Sequence, residues 1–103
     1  IEREKKFREA AERISGQIAQ LVIEKNEAYG NSVENAPYIL RRLYPEGVKP
    51  EQYEDMLTIV RVLDKLQRIA TDKDAFGENP WRDVTGYGLV KTVVEEMRKN
   101  AEE

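Results

Sequence analysis

The stretch PEQYEDMLTIVRVLDKLQRIAT, residues 50–71, decides the fold. Pro50 suits the first turn of a helix, where its missing N–H has no intrahelical partner to lose. Beyond it, Met56, Leu57, Ile59, Val60, Val62, Leu63, Leu66, Ile69 and Ala70 spread over most of a helical circumference. A helix that is apolar nearly all round is a buried one. Three neighbours in a small domain cover such a helix poorly, so a homo-oligomeric interface is expected.

Outward from that helix the chain reads as three more. Toward the N-terminus, Phe7, Ala11, Ile14, Ile18, Leu21, Val22 and Tyr29 recur at helical spacing, predicting a first helix from Glu2 to Tyr29. Gly30-Asn31 supplies its C-terminal stop. A short helix is expected over residues 37–43, with Pro37 at its start and Tyr44-Pro45-Glu46-Gly47 ending it. Toward the C-terminus a loop over residues 72–79 precedes Asn79-Pro80, an N-cap followed by proline at the first helical position. The last helix runs to about Lys99. No stretch alternates with period two. The expectation is one all-α domain over residues 1–103, a small bundle of about four helices whose two longest inner helices pack antiparallel.

The composition narrows the chemistry. The 103 residues carry a net charge of −3, with 36% charged and 40% apolar residues, no Cys and no His. Without cysteine there is no disulfide framework, thiolate zinc site or Cys nucleophile. Without histidine there is no Ser-His-Asp hydrolysis, and most zinc hydrolases are excluded. Catalysis would have to rest on carboxylates, Lys, Tyr or a hard metal held by oxygen. A pI near 5.2 argues against duplex nucleic acid as the partner. The apolar runs are too short to span a bilayer, and no signal-peptide pattern opens the chain. Opening on Ile1 rather than Met points to a natural N-terminus that is processed or lies outside this stretch.

Polar residues on the apolar stripes are the site candidates. In the last helix Asp83 lies at the centre of the arc made by Tyr87, Val90, Val94 and Met97. It either caps free N–H groups in the first turn or needs a charge partner, hydrogen bonds or a metal. In the third helix Asp64 lines up with Tyr53, Leu57 and Val60, with Arg61, Lys65 and Arg68 around it. That set is either a surface ion-pair ladder or a basic edge for a phosphate, with Asp64 orienting the guanidinium groups or holding a metal. In the first helix Lys25 falls on the stripe of Phe7, Ile14, Ile18 and Leu21, flanked by Glu24 and Glu27. Snorkelling past the helix end accounts for Lys25; so does a place at an internal site. Taken together, Lys25, Tyr29, Asp64 and Asp83 are expected at inward or edge-facing positions of three helices, as in bundles that build ligand or metal sites. Gly86 and Gly88, costly inside a helix, are expected to mark a close helix–helix approach or room for a ligand.

Several of these residues belong to longer runs. Glu24-Lys25-Asn26-Glu27-Ala28-Tyr29-Gly30-Asn31-Ser32, Leu43-Tyr44-Pro45, Gln52-Tyr53-Glu54-Asp55, the segment over residues 59–70, Asp74-Ala75-Phe76-Gly77-Glu78-Asn79-Pro80-Trp81-Arg82-Asp83 and Gly86-Tyr87 stand in this order. In that order and spacing, over residues 21–89, the chain resembles the nucleotide-modification-associated domain family of phages and prophages. It is similar in helical layout to the MazG-like all-α nucleoside triphosphate pyrophosphohydrolases. The resemblance implies a nucleotide ligand, and, for a phage-encoded protein, a place in the cytoplasm of the infected bacterium. MazG-like enzymes hold Mg2+ with E-x-x-E on one helix and E-x-x-D on another. Glu24-x-x-Glu27 matches the first motif; Arg61-x-x-Asp64 departs from the second, with a cation where an acid belongs.

Two functions follow as expectations. As a Mg2+-dependent pyrophosphohydrolase the protein would hold metal with Glu24, Glu27, Asp64 and Asp83, with catalysis carried by Glu24, Glu27 and Asp64. A water would attack the phosphoanhydride to give nucleoside monophosphate and pyrophosphate. As a non-catalytic nucleotide-sequestering protein, a sponge against host defence, it would bind through Lys25, Tyr29, Arg61, Lys65 and Arg68. Tyr29 is the first stacking candidate, Trp81 and Phe76 the next. A third class, a protein-binding inhibitor or assembly subunit, requires no nucleotide affinity.

Overall fold

The computed structural model describes residues 1–102. It contains four α-helices, α1 (Glu2–Tyr29), α2 (Ser32–Leu43), α3 (Tyr53–Asp72) and α4 (Pro80–Glu102), and no strand among the described residues. Short 3₁₀ turns, Pro50–Gln52 and Ala75–Gly77, lead into α3 and lie between α3 and α4. No helix is long and apolar enough to cross a membrane.

All the extensive helix packing involves α3, which touches α1, α2 and α4. Ion pairs from Lys65 to Asp83 and from Glu54 to Arg98 show that α3 and α4 run antiparallel. The apolar circumference of α3 thus makes it the hub, but an incompletely covered one. Leu63 is buried, whereas Leu57 is 59% exposed. The radius of gyration is 19.2 Å, with extents of 64 × 33 × 31 Å. A compact chain of this length has a radius of about 13 Å.

The boundaries follow local chemistry. Gly30 ends α1 in the left-handed conformation, φ 62°, and its N–H donates to the Asn26 carbonyl. A Cβ there would collide with the Thr71 hydroxyl. Both constraints call for glycine. The Trp81 N–H donates to Asn79 Oδ1 at 3.0 Å, the N-cap expected for α4.

Two expectations are corrected. The second helix begins at Ser32, five positions before Pro37, which sits inside it. The carbonyl of Val33 loses its Pro37 donor, and Val33 is exposed at the surface. Contacts from Ser32 and Asn35 to α3 hold the extra turn. Of the two readings of Gly86 and Gly88, a close approach or room for a ligand, the first does not hold within the chain: beyond their own helix backbone nothing lies within 4 Å of a Cβ built at either.

Candidate functional site

Three polar clusters lie along the length of α3. The first is the corner where α1 turns into α2. Gly30 and Asn31 are consecutive left-handed residues, and Asn26 Nδ2 reaches across the turn to Asn31 Oδ1 at 2.8 Å. This geometry delivers Ser32, buried, with its hydroxyl donating to the Asp64 carboxylate. One turn on, Asn35 Nδ2 donates to the Gly30 carbonyl at 3.0 Å and to Gln67 Oε1 at 2.9 Å. Asp64 is therefore satisfied by a hydroxyl from α2. It forms no ion pair with Arg61 or Arg68 among the described residues.

Arg68 closes the same corner from below. It is 0% exposed. Its guanidinium donates to Glu78 Oε2 at 3.0 Å and to the Ala75 and Glu78 carbonyls at 2.6 and 2.9 Å. The Tyr29 ring lies 6.0 Å from it and meets the Phe76 ring edge-on at 6.4 Å. Phe76 holds φ 61°, a conformation that costs an L residue about 1–2 kcal/mol. Arg68 therefore folds the 75–78 loop over itself, and its charge is used within the chain. Tyr29, the first stacking candidate, has Phe76 and Arg68 as its neighbours here.

In the second cluster Lys65, 18% exposed at its side chain, pairs with Asp83 at 3.3 Å. This answers the charge that sequence placed on the apolar arc of α4. The third cluster is an open cleft of about 390 Å³ between α3 and α4, with Arg61, Leu57, Tyr87, Val90 and Val94 among its lining. Arg61 forms no ion pair among the described residues. At the far end of the cleft Lys91 bridges Asp55 at 2.8 Å and Glu54 at 3.2 Å, while Arg98 reaches Glu54 at 2.8 Å. Hydrogen bonds from Arg98 and then Lys91 hold the Glu54 carboxyl below its ordinary range. The Asp55 hydrogen bond, ahead of that from Glu54, raises Lys91 against its desolvation.

The remaining candidates stand apart. Glu24, Lys25 and Glu27 are exposed on α1, with Gln20 Nε2 donating to Glu24 at 3.1 Å. Lys25 does not turn inward in the single chain. No group of three or more acidic side chains among the described residues can hold a metal ion. Asp64 is occupied by Ser32 and Asp83 by Lys65. The set Glu24, Glu27, Asp64 and Asp83 does not fit Mg2+ within one chain.

Sequence reasoning missed Ser32, Lys91 and the anchoring role of Arg68. Ser32 ends the run that begins at Glu24, and Lys91 stands one turn beyond Tyr87; those were the available signals. No family model, curated protein or solved structure matches the chain.

Proposed function

We propose that the protein binds a phosphate-bearing nucleotide in the cleft between α3 and α4 without hydrolysing it, and does so within a homo-oligomer. The observation that carries this reading is Arg61, an exposed guanidinium without an acidic partner among the described residues, at a cleft with an aromatic and apolar wall. Guanidinium groups take phosphate oxygens in bidentate, charge-assisted hydrogen bonds. Tyr87 offers a ring for the base, and Leu57, Val90 and Val94 an apolar floor. Lys65, one helical turn from Arg61, adds a second cation once a phosphate competes with Asp83 for it. Lys25 and Arg68 have no part in this site.

The engaged carboxylates favour binding over turnover. Hydrolysis of the MazG-like kind requires acids collected around a metal, and within one chain they are dispersed or hydrogen-bonded elsewhere. Sequestration of a nucleotide signal in the infected bacterium is the biological role that suits such a binder. The resemblance to phage nucleotide-modification domains, and through them to the MazG-like layout, belongs to this proposal.

The test is a thermal-shift screen of nucleoside mono-, di- and triphosphates and cyclic dinucleotides, with and without magnesium, followed by chromatography of each stabilising compound. A ligand present at 100 times its Kd stabilises the folded chain by about 2.7 kcal/mol. The expected result is stabilisation without metal and recovery of the compound unchanged. Appearance of monophosphate and pyrophosphate only with magnesium overturns the non-hydrolytic reading, and no stabilisation by any compound overturns nucleotide binding.

A further inference from the structure

Residues 1–27 are the least accounted for. Every one of them except Ala10 is exposed, although Phe7, Ile14, Ile18 and Leu21 are large and apolar, with Phe7 at 69%. Most of a helix's stability in a folded protein comes from packing its amphipathic face, and over this stretch that face is largely left in solvent. The chain exposes 8473 Å², where a folded monomer of 12.0 kDa exposes about 6,000 Å². The excess, roughly 2,500 Å², is well above the roughly 800 Å² per partner that a standard stable interface buries.

The exposed residues follow a definite period. Phe7, Ala11, Ile14, Ile18 and Leu21 are spaced alternately four and three residues apart, and the series continues to Lys25 and Ala28. Such a seven-residue repeat is the seam of a helical coiled coil, in which a lone lysine can set register. Ala28 is already buried in its own chain, so the part of the seam available to a partner ends at Lys25.

We propose that α1 pairs with α1 of a second copy of this chain, antiparallel, with Ile14 facing Ile18 of the partner subunit. Charge decides the direction. One repeat before Ala11 the seam position is Glu4. A parallel pair in register would stack Glu4 on Glu4 of the partner subunit and Lys25 on Lys25 of the partner subunit. It would also set Arg3 beside Arg8 of the partner subunit. All three are like-charge contacts. The antiparallel pair places Ala11 opposite Leu21 of the partner subunit and Lys25 over Phe7 of the partner subunit, where stem and ammonium can pack on the ring. The two-fold axis repeats each contact, as a self-complementary interface requires. This inference is independent of the nucleotide reading.

Sedimentation of the purified chain at tens of micromolar tests it, together with cross-linking. The expected mass is about 24 kDa, twice the 12.0 kDa of one chain, or an even multiple of that. Ile14→Glu with Ile18→Glu should halve it and leave the cleft-forming helices folded, since both side chains are exposed. The absence of cysteine makes single-thiol variants unambiguous. Ser15→Cys should cross-link through a short bismaleimide. Glu4→Cys should not, because antiparallel pairing sets the two thiols about 36 Å apart at 1.5 Å per residue. A single-chain mass for the unmodified protein, a mass that the double variant does not change, or cross-linking by Glu4→Cys and not Ser15→Cys would overturn the proposal.

Discussion

Replacing Arg68 removes the post on which the 75–78 loop is folded. The guanidinium donates three hydrogen bonds, to Glu78 Oε2 and to the Ala75 and Glu78 carbonyls. Each is worth about 1 kcal/mol net rather than the larger charged value, because Glu78 is 59% exposed and water takes over much of its solvation. Truncation to alanine also withdraws the buried aliphatic stem, a further loss of about 2 kcal/mol at roughly 0.8 kcal/mol per methylene. Against this stands relief from holding a charge in the interior, where Nε has no partner at all. The balance for Arg68→Ala is a loss of about 3 kcal/mol, or a fall in Tm of roughly 12–24 °C at 4–8 °C per kcal/mol. Arg68→Met keeps the stem and loses about half as much. Urea unfolding followed by circular dichroism measures both. An Arg68→Ala protein within about 1 kcal/mol of the parent would refute the anchoring role. Equal losses in the two variants would instead refute the share given to the buried stem and leave the whole anchoring to the guanidinium hydrogen bonds.

Gly30→Ala should destabilise by at least about 1 kcal/mol, from left-handed strain together with the collision at Thr71; adding Thr71→Ala should recover the collision part alone, as read by urea midpoints. Glu54→Gln should lower Tm at neutral pH and flatten the acid limb. A carboxyl held below its ordinary range contributes stability above the unfolded pKa and loses it as pH falls through the folded one. The gap between Glu54→Gln and the parent should therefore close on acidification below the ordinary glutamate range, and a gap constant with pH would contradict the ion-pair geometry. Ser32→Ala should cost about 1–3 kcal/mol by removing the Asp64 hydroxyl donor from a buried position, with Ser32→Thr restoring part of the loss.

Local signals in the sequence carried the helices well. The bounds of α1, the stop at Gly30 and the cap at Asn79 all rest on side chains acting within a few residues. The start of α2 did not, because proline at position 37 looks like a first turn until Ser32 and Asn35 find their partners on α3. The candidate site was legible as residue types and not as pairings. Arg61 and Arg68 share a helix edge on a wheel, yet one is exposed and the other fully buried. Only the fold of the 75–78 loop distinguishes them, and that contact crosses elements. Asp64 has two arginines within a turn of its own helix and takes a serine from another. Glu24 and Glu27 lie at the right spacing to share a site, but spacing on one helix does not bring acids from α3 or α4 to them.

The most direct test of nucleotide binding at the α3–α4 cleft is titration calorimetry in EDTA. The ligand is the most stabilising nucleotide of the screen, titrated into the parent, Arg61→Ala and Lys25→Ala proteins. The account predicts binding by the parent without metal and at least a tenfold loss for Arg61→Ala, since a charge-assisted contact is worth about 1.5–3 kcal/mol. It predicts no change for Lys25→Ala, which lies outside the cleft. Equal affinities for the parent and Arg61→Ala, or binding that vanishes in EDTA, would contradict it.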